Sequence, residues 1–135
     1  MAKIVLTNPV VYIGGVNLSD HITSLSIDTT YAEVETTAFS DAAVRRVAGL
    51  IDASISLEFQ QDMASASVEQ TIAPLLGGTT AVMAWANGST TGTTNPKYTA
   101  NVLVNEWHPI NGAVGDLATV SVTWPCDGTV NRATS

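Results

Sequence analysis

Few residues of this chain could do chemistry, and they are scattered. His21 follows Asp20 in a turn, His108 sits between Trp107 and Pro109 at a strand end, and Cys126 is the lone cysteine. A serine hydrolase of the α/β type places its nucleophile on a strained elbow such as Gly-x-Ser-x-Gly, which is absent, and neither histidine reads as a general base. One thiol excludes an intrachain disulfide framework, and with two imidazoles beside it a zinc cage lacks ligands. Glu33 and Glu35 stand two apart on one strand face, a spacing open to a hard cation, but no Asp-rich loop accompanies them. Gly14-Gly15 and Gly77-Gly78 read as turn and cap rather than phosphate cradles, because no Lys-Ser or Lys-Thr follows either. The residue types therefore predict a protein that is not an enzyme and takes no metal or cofactor.

Arg45 and Arg46 form the only basic pair of the chain. Two charges without aromatic partners make a poor nucleic-acid footprint, and a salt-bridged protein interface suits them better. Trp85, Trp107 and Trp124 fall at strand ends, where a stacking platform for sugars is conceivable, although aromatic residues of β proteins more often fill the core. Core is the place expected for Trp124, and Trp107 stays open to either use. Five cations, Lys3, Arg45, Arg46, Lys97 and Arg132, face twelve carboxylates, for a net charge of −7. That balance repels DNA, since counterion release requires clustered Lys and Arg. Charged residues make up only 13% of the sequence, which suggests a surface covered in large part by other copies or partners. No run of about 18 apolar residues occurs and the first residues lack a signal-peptide core, so synthesis in a cytoplasm, with no membrane segment, is expected.

Strands must position these side chains, within a single domain over 1–135. Val10 to Ile13 reads as a short buried strand closed by Gly14-Gly15. From Ile22 to about Ala38, alternation puts Leu25, Ile27 and Tyr31 on one face, with a bulge expected at Thr29-Thr30. From Asp52 to Asp62, Ala53, Ile55, Leu57 and Phe59 alternate with Ser54, Ser56, Glu58 and Gln60. Ser67-Val68-Glu69-Gln70 has capping-box form and opens the one convincing helix, whose last turn Pro74 should distort. Residues 79–85 make another strand, 86–96 an unconstrained polar loop, 97–107 and 117–124 two further alternating strands, and 126–135 a polar, partly mobile tail. The class is mainly β with one short helix against a sheet.

Two features go beyond a generic β domain. The connection over about 39–51 is too long for a hairpin turn of about 2–5 residues and too apolar for a linker. Its Val44, Val47, Leu50 and Ile51 surround the basic pair, a mixture suited to docking on another surface. Four long strands also share one design, an apolar face opposite a face of Ser, Thr, Asn, Gln and carboxylates with no Lys or Arg in the middle. Open edges are usually guarded by Lys, so these strands look built to line something or to pair with neighbours.

Val11-Tyr12-Ile13-Gly14-Gly15-Val16-Asn17-Leu18-Ser19-Asp20-His21-Ile22, Ile27-Asp28-Thr29-Thr30-Tyr31, Arg46-Val47-Ala48-Gly49-Leu50 and Gly115-Asp116-Leu117-Ala118-Thr119-Val120-Ser121-Val122-Thr123-Trp124-Pro125 together resemble the major tail tube proteins of long-tailed bacteriophages. The resemblance spans nearly the whole chain. It implies a β-sandwich or half-barrel subunit, a structural protein of the virion tail made in the host cytoplasm. It further implies hexameric rings, four strands per copy in a continuous inner barrel, and rings stacked into a tube that conducts DNA without specific binding. Tail-tip initiator, tape-measure and terminator proteins are the other partners it implies.

Under that resemblance the lumen candidates are Asp28, Ser54, Ser56, Glu58, Gln60, Thr119, Ser121 and Thr123, a polar face without cations that lets phosphate pass. The connection over about 39–51 would reach the adjacent ring through Phe39, Val44, Arg45, Arg46, Val47 and Leu50, its arginines meeting carboxylates there. The tube of a contractile tail or injection machine would use the same ring inside a sheath. From another class, a β-sandwich carbohydrate-binding module using Trp85 and Trp107 is the alternative.

Overall fold

The computed structural model describes residues 5–65 and 67–135. Two antiparallel sheets pack against each other around one hydrophobic core. The first contains β1 (Val10–Ile13), β2 (Val16–Asn17), β5 (Thr79–Trp85), β6 (Lys97–Leu103) and β8 (Asn131–Ala133), in the order β2-β1-β5-β6-β8. The second contains β3 (Ile22–Glu35), β4 (Arg46–Gln60) and β7 (Thr119–Pro125), in the order β3-β4-β7. The fold is thus mainly β and sandwich-like, with one short helix.

Alternation decides which side of each strand is buried. Ile55, Leu57 and Phe59 of β4 and Val120, Val122 and Trp124 of β7 meet Val11, Ile13, Val82, Ala84, Ala100 and Val102 of the other sheet. Phe59 lies edge-on to Trp107 at 5.7 Å and 6.3 Å from Trp124, pairings that add about 0.5–1.5 kcal/mol beyond the area they bury. The Trp124 indole N–H donates to the Glu106 carbonyl at 3.0 Å, so its burial leaves no polar atom stranded. The sheets are stitched where β6 passes β7, by the Val102–Cys126 bridge and an Asp127 N–H donated to the Asn101 carbonyl at 2.8 Å.

Local chemistry sets the connections. Gly14 and Gly15 join β1 to β2 with φ of 60° and 86°, the two-residue turn whose left-handed positions glycine takes without strain. The helix α1 (Val68–Ile72) continues as a 3-10 turn over Ala73–Leu75 and buries Val68 and Ile72. Pro74 lacks the N–H that would extend the α ladder, which accounts for the change of helix type. Ser67 precedes α1 but makes no side-chain cap, contrary to the capping-box expectation. Its hydroxyl donates to Asp62 instead, at 2.9 Å.

Four sequence expectations need correction. The second half of the apolar connection is strand, because β4 begins at Arg46 and pairs Val47 with Val34 and Ile51 with Tyr31. The 126–135 tail supplies β8, whose Asn131, Arg132 and Ala133 pair with Thr99, Tyr98 and Lys97. The 86–96 loop is pinned by Asn95, whose amide donates to the carbonyls of Asn87, Gly88 and Thr90 at 2.6, 3.0 and 2.9 Å. Finally, of the four strands with the common design, three share one sheet, while the strand from Lys97 lies in the other and ends at Leu103.

Candidate assembly surfaces

The register of β3, β4 and β7 gathers the polar residues onto one face. Asp28 lies opposite Ser54, Ser26 opposite Ser56 and Ser24 opposite Glu58, while Ser56 faces Thr123, Glu58 faces Ser121 and Gln60 faces Thr119. Directly paired residues point to the same side of a sheet. All eight lumen candidates therefore share the side opposite the core. Ser56 and Thr123 also join hydroxyls at 3.2 Å. Asp28, Asp52 and Glu58 give this side its charge, and none of the strand residues named on it is Lys or Arg.

Among the described residues neither edge of that sheet is paired, since β3 and β7 are its outer strands. Neither strand contains Lys or Arg, the residues that ordinarily discourage another strand from adding. One group guards the β7 edge. Glu106 accepts the Thr123 N–H at 2.8 Å, placing a carboxylate where a neighbouring strand would bond.

Beyond the core, β3 and β4 continue as a two-stranded ribbon. Opposite Ala32, β4 fits two residues, Gly49 and Leu50, so the bulge lies after Tyr31 and its extra residue belongs to β4. A bulge at Thr29-Thr30 is therefore corrected. Because β3 keeps its alternation, Glu33 and Glu35 stay on the Tyr31 side and leave the face of Asp28 to Ala32 and Val34. Gly49 sits in a crowded place: a Cβ there would stand 3.1 Å from Val34 Cγ2 and 3.2 Å from the Ala32 carbonyl oxygen, so these neighbours would have to give by a few tenths of an ångström.

Ribbon and tip expose Tyr31, Val34, Phe39, Val44, Val47 and Leu50, with Phe39 fully in solvent. The tip is nonetheless organised. Asp41 accepts the Ala38 N–H at 2.8 Å and the Arg45 guanidinium at 2.9 Å, and Thr37 accepts the Arg45 N–H at 2.9 Å. Arg46 reaches diagonally to Glu33 on the facing strand. Both arginines are therefore already paired within the chain. Each pair is made through Nε, and a guanidinium carries further donors on its terminal nitrogens.

The structure also assembles a cluster that sequence reasoning missed. His21 Nδ1 lies 2.8 Å from Asp20 Oδ1 and its Nε2 2.8 Å from Asp62 Oδ2, with the buried Ser67 hydroxyl 3.4 Å from Nε2. Ser67 gives its proton to Asp62 at 2.9 Å, so hydroxyl, carboxylate and imidazole close a three-way hydrogen-bonded cluster. The Ala64 N–H, the Ser67 hydroxyl and His21 hold the Asp62 carboxyl below the usual carboxylate range, against an opposing push from burial. The cluster fastens the entry of β3 to the segment before α1. No local signal could have found it, since its two halves, Asp20–His21 and Asp62–Ser67, are more than 40 positions apart.

Other candidate groups are structural. Trp124 and Trp85 are buried, Trp85 giving its indole N–H to Thr91 at 3.0 Å, and neither offers an open stacking face for a sugar. Trp107 is half-buried and stands nearly perpendicular to Phe59. Burial pushes the Cys126 thiol up, and Asp52 adds to the rise. Among the described residues no three His, Cys, Asp or Glu side chains converge on a metal position. An apolar cleft of about 390 Å³ opens between β3 and the β1–β5 sheet, lined by Ile22, Leu25, Ile27, Trp85 and Tyr98. Among the described residues no carboxylate or imidazole lines it. No helix is long and apolar enough to cross a membrane among the described residues. No protein-family model and no curated protein matches the sequence.

Proposed function

We propose that this chain is a structural subunit that associates with copies of itself into rings, and that the rings stack into a tube of the bacteriophage tail type through which DNA passes. The observation that carries the reading is the β3-β4-β7 sheet: one side core, the other polar and without cations, both edges unguarded by Lys or Arg, and a ribbon running past the core. Adding β3 of one copy to β7 of the next would extend the sheet around a closed barrel, the one arrangement that removes its edges. Its polar side would then face the channel. A wall of hydroxyls and carboxylates offers phosphate no counterion to release, so DNA slides instead of sticking.

The ribbon serves the second contact, between rings. It exposes apolar side chains that contribute nothing to the subunit's own core, and its length carries them beyond the sheet that forms the ring. Negative-stain microscopy and sedimentation velocity on the purified protein test the reading. Rings or filaments with a central channel are expected. A monomer at every concentration tried, or a globular oligomer without a channel, would refute it.

A further inference from the structure

Exposed apolar side chains gather beside both ends of β4. At the hairpin end these are Phe39, Val44 and Val47, and at the other the loop between β6 and β7 displays Ile110, Val114 and Leu117. That loop is fastened to the strand end. The Gln61 side-chain amide donates to the Pro109 carbonyl at 2.7 Å, and the Gln61 N–H donates to the Ala118 carbonyl at 2.9 Å. The Asn111 amide adds a bond to the Thr119 carbonyl at 3.3 Å. At about 3.3 Å per residue, β4 holds the two patches roughly 45 Å apart.

Charge differs between the two ends. Residues 33–46 hold Arg45 and Arg46 together with Glu33, Glu35 and Asp41, so the hairpin end presents both signs, whereas 106–118 contain Glu106 and Asp116 with no Lys or Arg. Glu106 is occupied by Thr123. Asp116 is exposed in a turn closed by its own N–H on the Ala113 carbonyl at 3.0 Å.

We infer that the 106–118 loop of one copy is the surface that receives the hairpin tip of the next. The inference rests on the stacked-ring reading and names the acceptor that reading lacks. A tip meeting another tip would bring Arg45 and Arg46 against the same residues, and a self-complementary contact of that kind stops at two copies. A tip meeting the opposite end is a head-to-tail contact. It sets the two tip arginines against a loop that has carboxylates and no Lys or Arg, and leaves a free tip and a free loop at the two ends of any stack, so growth continues. The apolar cleft beside β3 is the competing acceptor, but it lies on the flank of the sheet and has no carboxylate for Arg45.

Cysteine cross-linking decides between them. In a Cys126→Ser background, Phe39→Cys is combined with Val114→Cys, or with Leu25→Cys in the cleft, and assembled protein is oxidised and run on a non-reducing denaturing gel. The Phe39/Val114 pair is expected to give a ladder extending past the dimer, while each single substitution and the Phe39/Leu25 pair stop at dimer. A ladder from the Leu25 pair alone would overturn the acceptor and leave the tube intact. Tubes visible by microscopy with no ladder from either pair would do the same. Protein of unchanged circular dichroism that never assembles, even without substitutions, would sink both the acceptor and the stacked-ring reading.

Discussion

Arg46 allows bracing of the hairpin to be separated from contact with another copy. It sits opposite Glu35 and bonds Glu33, all on one side of the ribbon. Both partners are more than half exposed, so the pair itself is worth about 0.2–1 kcal/mol. Arg46→Glu removes it and sets a third carboxylate beside Glu33 and Glu35, a like-charge juxtaposition costing a similar amount again. The sum, about 1 kcal/mol, falls on a ribbon that opens locally, so the whole-domain melting temperature should hardly move. Amide exchange at Val34 and Val47 should instead quicken about fivefold, the factor corresponding to 1 kcal/mol.

The reciprocal exchange, Glu33→Arg with Arg46→Glu, rebuilds the pair within the ribbon while reversing the charge offered outward. Exchange protection should return toward the unsubstituted value, yet sedimentation and microscopy should find no tubes, because the proposed stacking uses the terminal guanidinium nitrogens of Arg46. Tubes forming from the exchanged protein at the unsubstituted critical concentration would refute this. Arg46 would then act only as a brace for its own hairpin.

Ser56→Lys with Ser121→Lys adds two cations per copy to the polar face, and a ring of six would carry about twelve where DNA passes; tubes should still form but bind short duplex DNA with a steep salt dependence. Binding that does not change with salt would place that face away from the channel. Glu106→Ala frees the Thr123 N–H at the β7 edge, so assembly should start with a shorter lag in light scattering, and an unchanged lag would remove Glu106 as a guard. Asp62→Asn tests the cluster at His21. A carboxyl held below its usual range contributes stability that is complete above the unfolded value, near pH 4, and is lost as pH falls through the lower folded value. The gap in melting temperature between the two proteins should therefore be widest at neutral pH and close in acid; a constant gap would mean that the ionised form is not what is held.

Much of the sandwich was legible because one-sided burial writes itself as alternation. Ala53, Ile55, Leu57 and Phe59 against Ser54, Ser56, Glu58 and Gln60 define the two sides of β4 without any knowledge of its neighbours, and the same pattern placed Thr119, Ser121 and Thr123. Alternation does not say which sheet a strand joins. Lys97–Leu103 carries the same signal as β7 yet pairs with β5 and β8, since face and partner are independent properties of a strand. The distal ribbon was hidden for the opposite reason. Neither side of Arg46–Ile51 packs on the core, so apolar residues appear on both sides and the two-residue period disappears. β8 was hidden by its three-residue length and its Asn-Arg-Ala composition.

The proposed assembly requires a subunit that stays soluble beforehand, and the features that look like defects in a monomer divide along that requirement. Sideways, the β7 edge keeps a carboxylate on one of its N–H groups, so a neighbour must displace Glu106 before the sheet can grow. Lengthwise, the tip arginines are held by Asp41 and Glu33 and keep only part of their donor capacity for a partner. Each contact is therefore offered at reduced strength. Weak single contacts become decisive when a closed ring presents several at once, because the copies then engage together and the effective concentration of each further contact is high. Stacking should consequently depend on ring closure, with the hairpins idle on a lone subunit and cooperative on a ring.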